Sequence, residues 1–189
     1  MEPVLGIFVG GRGRRMGGRA KADLRAPGSD ERLVDRLVRI AGDAGIECVV
    51  VGSHPEATPL PAGVARVADQ PPGIGPLGGL VALLRFAPTR PVIAVACDMP
   101  FVTAALVERL ARDPRDAAVL APREPAAHKW QPLFARYDAA RVLPVLERAV
   151  SEDMRSFQRL FARLDVTEFE VEDAERALLH DWDTPEDIG

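Results

Sequence analysis

The chain has 189 residues, 47% of them hydrophobic and 28% charged, with a formal net charge of −4. That is the length of one domain, 1–189, able to bury a full core, and its composition is ordinary for a globular protein. The acidic balance argues against a general nucleic-acid binder, no apolar stretch reaches the ~20 residues of a membrane span, and no basic-then-apolar leader opens the sequence. In chain order, Val4 to Val9 is an apolar run that predicts a short buried strand, ended by Gly10-Gly11. After a glycine- and arginine-rich stretch, Ser29 or Asp30 is placed to cap a helix carrying Leu33, Val34, Leu37, Val38 and Ala41, with Gly45 at its C′ position. Ile46 to Val51 reads as a strand buried on both faces, parallel to the first.

Val64 to Ala68 predicts a short third strand ending at Asp69, and Pro71 to Gly79 leads into an apolar helix, Leu80 to Phe86. Pro91 to Ala96 is the next strand, followed by Cys97-Asp98-Met99-Pro100 and a helix capped by Thr103. Ala117 to Ala121 is a further strand, 122–130 a polar, proline-broken loop, and Gln131 to Tyr137 extended. Helices follow over Ala139 to Val150, bent or delayed by Pro144, and over Phe157 to Leu164; Val166 to Val171 predicts a last strand. Thr184 is placed to cap a final turn with Pro185 at its first position. Alternating strands and helices predict an α/β fold, a three-layer α/β/α sandwich with a mostly parallel sheet.

The chemistry concentrates after the first strand. Residues 12–25 hold six cations against the single acid Asp23, and Lys21 is one of only two lysines in the chain. A glycine turn at a strand end exposes amides to phosphate oxygens. The stretch is neither a Walker A loop, since Ala20 and Ala22 flank Lys21, nor a dinucleotide fingerprint, since Met16 stands where the last glycine is required. A small polyphosphate ligand fits a local basic cluster on an acidic chain; an arginine-rich surface turn is the plainer alternative. Asp98, after a buried strand, is a candidate ligand for a hard cation, or a loop aspartate. Asp181 and Asp183 are two acids that can share a metal, or a solvated turn. Asp69 suits a nucleoside or its own loop's amides. The glycine loop, Asp69 and Asp98 all fall at strand ends, where ligands bind in such sheets. Cys48 and Cys97 read as buried thiols in a reducing cytoplasm, and His54, His128 and His180 have no zinc spacing.

Five segments together carry a family resemblance: Gly10-Gly11-Arg12-Gly13-Arg14-Arg15-Met16-Gly17-Gly18 with Lys21, Gly75-Pro76-Leu77-Gly78-Gly79, Cys97-Asp98-Met99-Pro100-Phe101, Gln131-Pro132-Leu133-Phe134, and Asp183-Thr184-Pro185-Glu186-Asp187. In order and spacing the chain resembles the molybdenum cofactor guanylyltransferases of the MobA type. The resemblance implies a nucleotide-diphospho-sugar-transferase-like fold and a GTP site. Phe8, Val9, Gly10 and Gly11 would contact the nucleotide, with Gly13, Gly18 and the Gly75, Pro76, Leu77, Gly78 segment completing the site. Arg15 and Lys21 would hold the phosphates, Asp69 the nucleoside, and Asp98 with Asp183 a Mg²⁺ ion. The implied reaction is attack by the terminal phosphate of molybdopterin on the α-phosphorus of GTP, with pyrophosphate leaving. Other cofactor-biosynthesis proteins and apo-molybdoenzymes are implied partners, and neither nucleic acid nor membrane is.

The chain departs from the family's usual pattern at Ala20, where an acid is common, at Phe8 for leucine, and at Asp181 and Asp183 for asparagines. The two aspartates resemble the related cytidylyltransferases. Transfer from CTP, transfer to another phosphorylated acceptor, and nucleotide binding without catalysis are therefore the alternatives. Arg123, His128, Lys129 and Gln131 are the polar residues available for the acceptor.

Overall fold

The structure, a computed structural model, describes residues 1–9, 21–52, 59–124 and 127–182. Its centre is β1 (Val4–Phe8), five buried residues between two parallel neighbours. These are β2 (Glu47–Val51) and β4 (Pro91–Ala96); β3 (Ala65–Val67) pairs parallel outside β2. On the other side come β8 (Phe134–Asp138), β5 (Val119–Ala121) and β9 (Val166–Glu168), giving a seven-stranded sheet in the order β3-β2-β1-β4-β8-β5-β9. Only β8 runs against the rest of this sheet, antiparallel to both β4 and β5.

Alternation along the central strands separates two cores. Leu5, Ile7, Ile93 and Val95 face α1 (Leu33–Asp43) and α3 (Ala104–Arg112), meeting Val34, Leu37, Leu106 and Leu110. Val4, Phe8, Val92 and Ala94 face α2 (Pro76–Phe86), α4 (Ala139–Ser151) and α5 (Phe157–Phe161), meeting Leu80, Leu84, Val142, Leu146 and Phe161. The expected three-layer α/β/α sandwich results. Among the described residues, no helix is long and apolar enough to cross a membrane.

Several expectations change in detail. Neither Ser29 nor Asp30 caps α1: Arg32 holds the N-cap position without a side-chain bond, and the Ser29 hydroxyl instead accepts from the Glu31 amide at 3.0 Å. An Arg32–Asp35 ion pair at 2.6 Å secures that first turn. β2 is buried only from Val49 onward, because Glu47 is exposed and Cys48 half-buried at the strand's entry. The helix expected from Leu80 starts at Pro76, with glycines inside its first turns where close packing requires them. Pro144 neither delays nor interrupts α4, and Asp138 caps it by accepting from the Arg141 amide at 3.1 Å. The helix after Ser156 stops at Phe161, and the last strand at Glu168.

The stretch expected to be a loop contains a hairpin, β6 (Arg123–Glu124) with β7 (Lys129–Trp130). Its Trp130 backbone exchanges two hydrogen bonds with the Gln158 side chain, at 3.1 and 2.8 Å, so a side-chain amide stands in for a neighbouring strand. A short helix, α6 (Asp173–Arg176), adds to the expected elements; its four residues carry no apolar periodicity, and a Glu172–Glu175 capping box defines it. Thr103 does cap α3, accepting from the Leu106 amide at 3.3 Å, and Gly45 follows the α1 C-cap at φ +68°.

Candidate active site

Parallel strands deliver their carboxyl ends to one edge of the sheet. There Val9 N–H donates to the Val51 carbonyl at 3.0 Å, Cys97 N–H to that of Phe8 at 3.0 Å, and Gly52 N–H to that of Val67 at 2.8 Å. β8 starts at this edge, and Ala96 N–H donates to the Leu133 carbonyl at 2.9 Å. Leu133 lies in a segment braced from below: the fully buried Tyr137 hydroxyl donates to the Pro132 carbonyl at 2.6 Å.

Two hollows open along the edge. The first, about 190 Å³, is walled by Phe8, Val51, Ala96 and Leu133, with Asp69 and Asp98 at its polar points and Gly75-Pro76 across its mouth. Ligand pockets usually start at ~300 Å³, so this hollow suits one part of a ligand, a base or nucleoside, more than a whole nucleotide. Its shape depends on α2. Gly75 (φ +74°) makes the turn into the helix and Pro76 takes its first position. At Gly79, a Cβ would lie 2.8 Å from Phe8 Cε1, 2.9 Å from Val51 Cγ1 and 3.2 Å from Asp69 Oδ1. Any side chain there would push on three cavity residues at once. Burial holds the Asp69 carboxyl above its ordinary pKa, so its ionised form is costly until a donor reaches it.

The second hollow, about 710 Å³, lies between the β6–β7 hairpin and the segment after β9. Phe101, Val171 and Leu179 give it apolar surface, while Arg123, Gln131 and Arg176 bring polar groups. Arg176 Nη1 donates to the Arg123 carbonyl at 3.2 Å, and the Arg123 guanidinium lies 5.3 Å from the Trp130 ring centre. The two hollows share the chain turns Cys97–Phe101 and Gln131–Leu133, with Asp98 on one and Phe101 on the other.

Trp182 joins the edge together, a role its sequence context does not reveal. Its backbone N–H donates to the Asp98 carbonyl at 2.9 Å, and its ring stands edge-on to Phe101 at 6.3 Å. The same indole is buried with Leu24, Ala26 and Leu33, directly after the 3-10 turn Lys21–Asp23. The residues after the Lys21–Asp23 turn, the Asp98 turn and the C-terminal segment thus meet at one residue, through its ring and its backbone amide.

Of the site candidates singled out in the sequence, Phe8, Asp69, Gly75, Pro76 and Asp98 line the smaller hollow, and Arg123, Gln131 and Asp181 the larger. Val9 is buried beside them, and Leu77 and Gly78 are buried in the first turn of α2. His128 and Lys129 lie in the hairpin and outside the lining of either hollow. Lys21 opens its 3-10 turn. Gly10, Gly11, Gly13, Arg15, Gly18, Ala20 and Asp183, with the turn expected at Thr184, lie outside the described residues.

Residues 6–167 match the model of the MobA-like NTP transferase domain. The chain belongs to this family. A molybdenum cofactor guanylyltransferase of Pseudomonas putida is 35% identical over 176 residues, covering 91% of this chain and 88% of the relative. The crystal structure of molybdopterin-guanine dinucleotide biosynthesis protein A from Archaeoglobus fulgidus has a TM-score of 0.79 at 24% identity, covering 98% of this chain and 94% of that one. The 2-C-methyl-D-erythritol 4-phosphate cytidylyltransferase of Thermus thermophilus shares the fold at TM-score 0.71 and 20% identity, covering 100% of this chain and 96% of that one. Proteins named for different nucleotides and acceptors therefore share this fold.

The residues present also bear on a metal. Among the described residues, no three His, Cys, Asp or Glu side chains group together. What the described edge offers is the half-buried Asp98 beside a cavity. That fits magnesium, which uses one or two carboxylates and takes its remaining ligands from substrate phosphates and water.

Proposed function

We propose that the protein transfers GMP from GTP to the terminal phosphate of molybdopterin, releasing pyrophosphate and forming the guanine dinucleotide form of the molybdenum cofactor. The observation that carries this reading is the pair of hollows lined by neighbouring residues of the same two segments, Cys97–Phe101 and Gln131–Leu133. A transferase that joins two phosphorylated molecules needs two sites with one shared border. The nucleoside occupies the smaller hollow against Phe8, with Asp69 accepting from its polar edge. The acceptor occupies the larger one, its phosphate directed at the border and its ring system over Phe101.

Arg15 and Lys21 hold the triphosphate from the glycine-rich stretch, and Asp98 with Asp183 holds Mg²⁺. When bound, the ion neutralises charge on the phosphates and favours departure of pyrophosphate. The acceptor phosphate is ionised at neutral pH, so no side chain has to remove a proton from it. Its oxygen forms the new bond to the α-phosphorus as the bond to the bridging oxygen breaks, and the electron pair leaves on pyrophosphate. The protein's contribution is alignment and charge neutralisation. Calorimetric titration with GTP, CTP, ATP and UTP, each with and without Mg²⁺, tests the nucleotide half. Selective, magnesium-strengthened GTP binding is the expected result, and equal or stronger CTP binding would move the chain to the cytidylyl relatives.

A further inference from the structure

Asp69 follows a strand that does little to hold it. β3 is three residues long at the sheet edge, and none of its residues is buried. The segment after it is fixed by α2 instead. Gln70 N–H donates to the Gly78 carbonyl at 2.9 Å, and the Pro71 carbonyl oxygen lies 2.5 Å from where a Cβ on Gly78 would stand. At the far end of the same helix, Arg85 Nη1 donates to Gln70 Oε1 at 2.8 Å. The other two donors of that guanidinium, Nε and Nη2, both reach Glu147 Oε1 on α4, at 2.9 and 2.7 Å.

We infer that Arg85 is a positioning residue for the nucleotide: clamped by Glu147, it fixes Gln70 and so aims the adjacent Asp69 carboxylate into the cavity. This rests on the nucleoside role proposed above for Asp69. Arg85 and Glu147 are 50% and 41% exposed, and a pair so open to solvent adds little to global stability. Its value lies in direction. The guanidinium is a rigid planar fork, so seating two of its donors on one carboxylate points the third at a fixed place. Gln70 is then held by its backbone on one side and its side chain on the other. The ordering that a ligand would otherwise impose on segment 69–71 is already present before it binds.

Arg85→Ala, Gln70→Ala and the double variant test this by steady-state kinetics, calorimetry and thermal melting. Each single change is expected to raise KM and Kd for GTP about fivefold, the size of one net hydrogen bond. kcat should stay within about twofold and Tm within about 2 °C, because chemistry and core are untouched. The double variant should be no worse than the worse single, since both cut the same link. Unchanged GTP affinity in either single variant, or losses that multiply in the double, would overturn the inference. Amide hydrogen exchange across 69–78 without nucleotide reads the clamp independently: faster exchange in Arg85→Ala supports it, and an unchanged rate overturns it. Wild-type protein that binds no GTP would instead sink the nucleotide reading, and the exchange result would still decide the clamp.

Discussion

The two hollows at the sheet edge are built by opposite means. The smaller is a packing product: strand ends from β1, β2 and β4 wall it, and α2 approaches so closely that Gly79 has no room for a methyl group. The larger is framed by short elements pinned by polar contacts, a pair of two-residue strands clasped by Gln158 and a four-residue helix tied by Arg176 to Arg123. A close-packed wall has one shape and answers to volume. A frame of part-buried hydrogen bonds and arginines answers to charge and can adjust. The contrast suits a nucleotide site common to a fold whose acceptors differ.

The harshest way to break the contrast is at the border itself. Asp98→Asn should lower GMP transfer by at least about 10²-fold, the scale of losing a charged transition-state contact, with circular dichroism unchanged. Turnover near the wild-type rate would remove Asp98 from the mechanism. On the packed side, Gly79→Ala should cost about 1–3 kcal/mol in urea unfolding, because Phe8, Val51 and Asp69 must all shift, and GTP affinity should fall with it. A variant as stable as wild type would mean that Phe8 and Val51 give way to the added methyl at no cost.

On the framed side, Arg123→Ala should raise KM for the acceptor by about tenfold, or ~1.4 kcal/mol, while Kd for GTP stays put. Equal losses for both substrates would erase the division between the hollows. The smallest effect concerns Asp69, whose pKa burial raises. A raised carboxyl pKa gives a stability contribution that is full below the unfolded pKa of ~4 and lost as pH rises through the folded value. Asp69→Asn should therefore raise Tm slightly at pH 7, with the advantage vanishing below pH ~4, and weaken GTP binding. A lower Tm at pH 7 would show that the ionised carboxylate is stabilised in the free protein.

The same division explains what is legible in the sequence. β1, β4 and the inner part of β2 from Cys48 are apolar runs ended by Gly10, Asp98 and Gly52, and runs of that kind announce a buried parallel sheet. The packed hollow follows from those strand ends and from the Gly75–Gly79 segment. The start of α2 escapes a local reading because Gly78 and Gly79 look like a turn, whereas their helical place is set by Pro71 and Phe8 across the fold. Of the framed hollow, Arg123, Gln131 and Asp181 stand out in the sequence but the elements that frame them do not. Its hairpin depends on Gln158, some thirty residues on, and its helix on a capping box without apolar spacing. Trp182 stands in the sequence as the residue between two acids, and only the fold shows that it ties Asp98 to Leu24 and Leu33. Antiparallel β8 is visible as an extended segment, but its direction comes from pairing with β4 and β5.

The most direct measurement is transfer itself: GTP labelled at the α-phosphorus, molybdopterin and magnesium incubated with the protein, with the products separated and pyrophosphate counted. A labelled guanine dinucleotide, one pyrophosphate per transfer, and no comparable product from labelled CTP is the expected result. Label that stays on unreacted GTP, or passes equally well from CTP, would contradict the proposed guanylyl transfer.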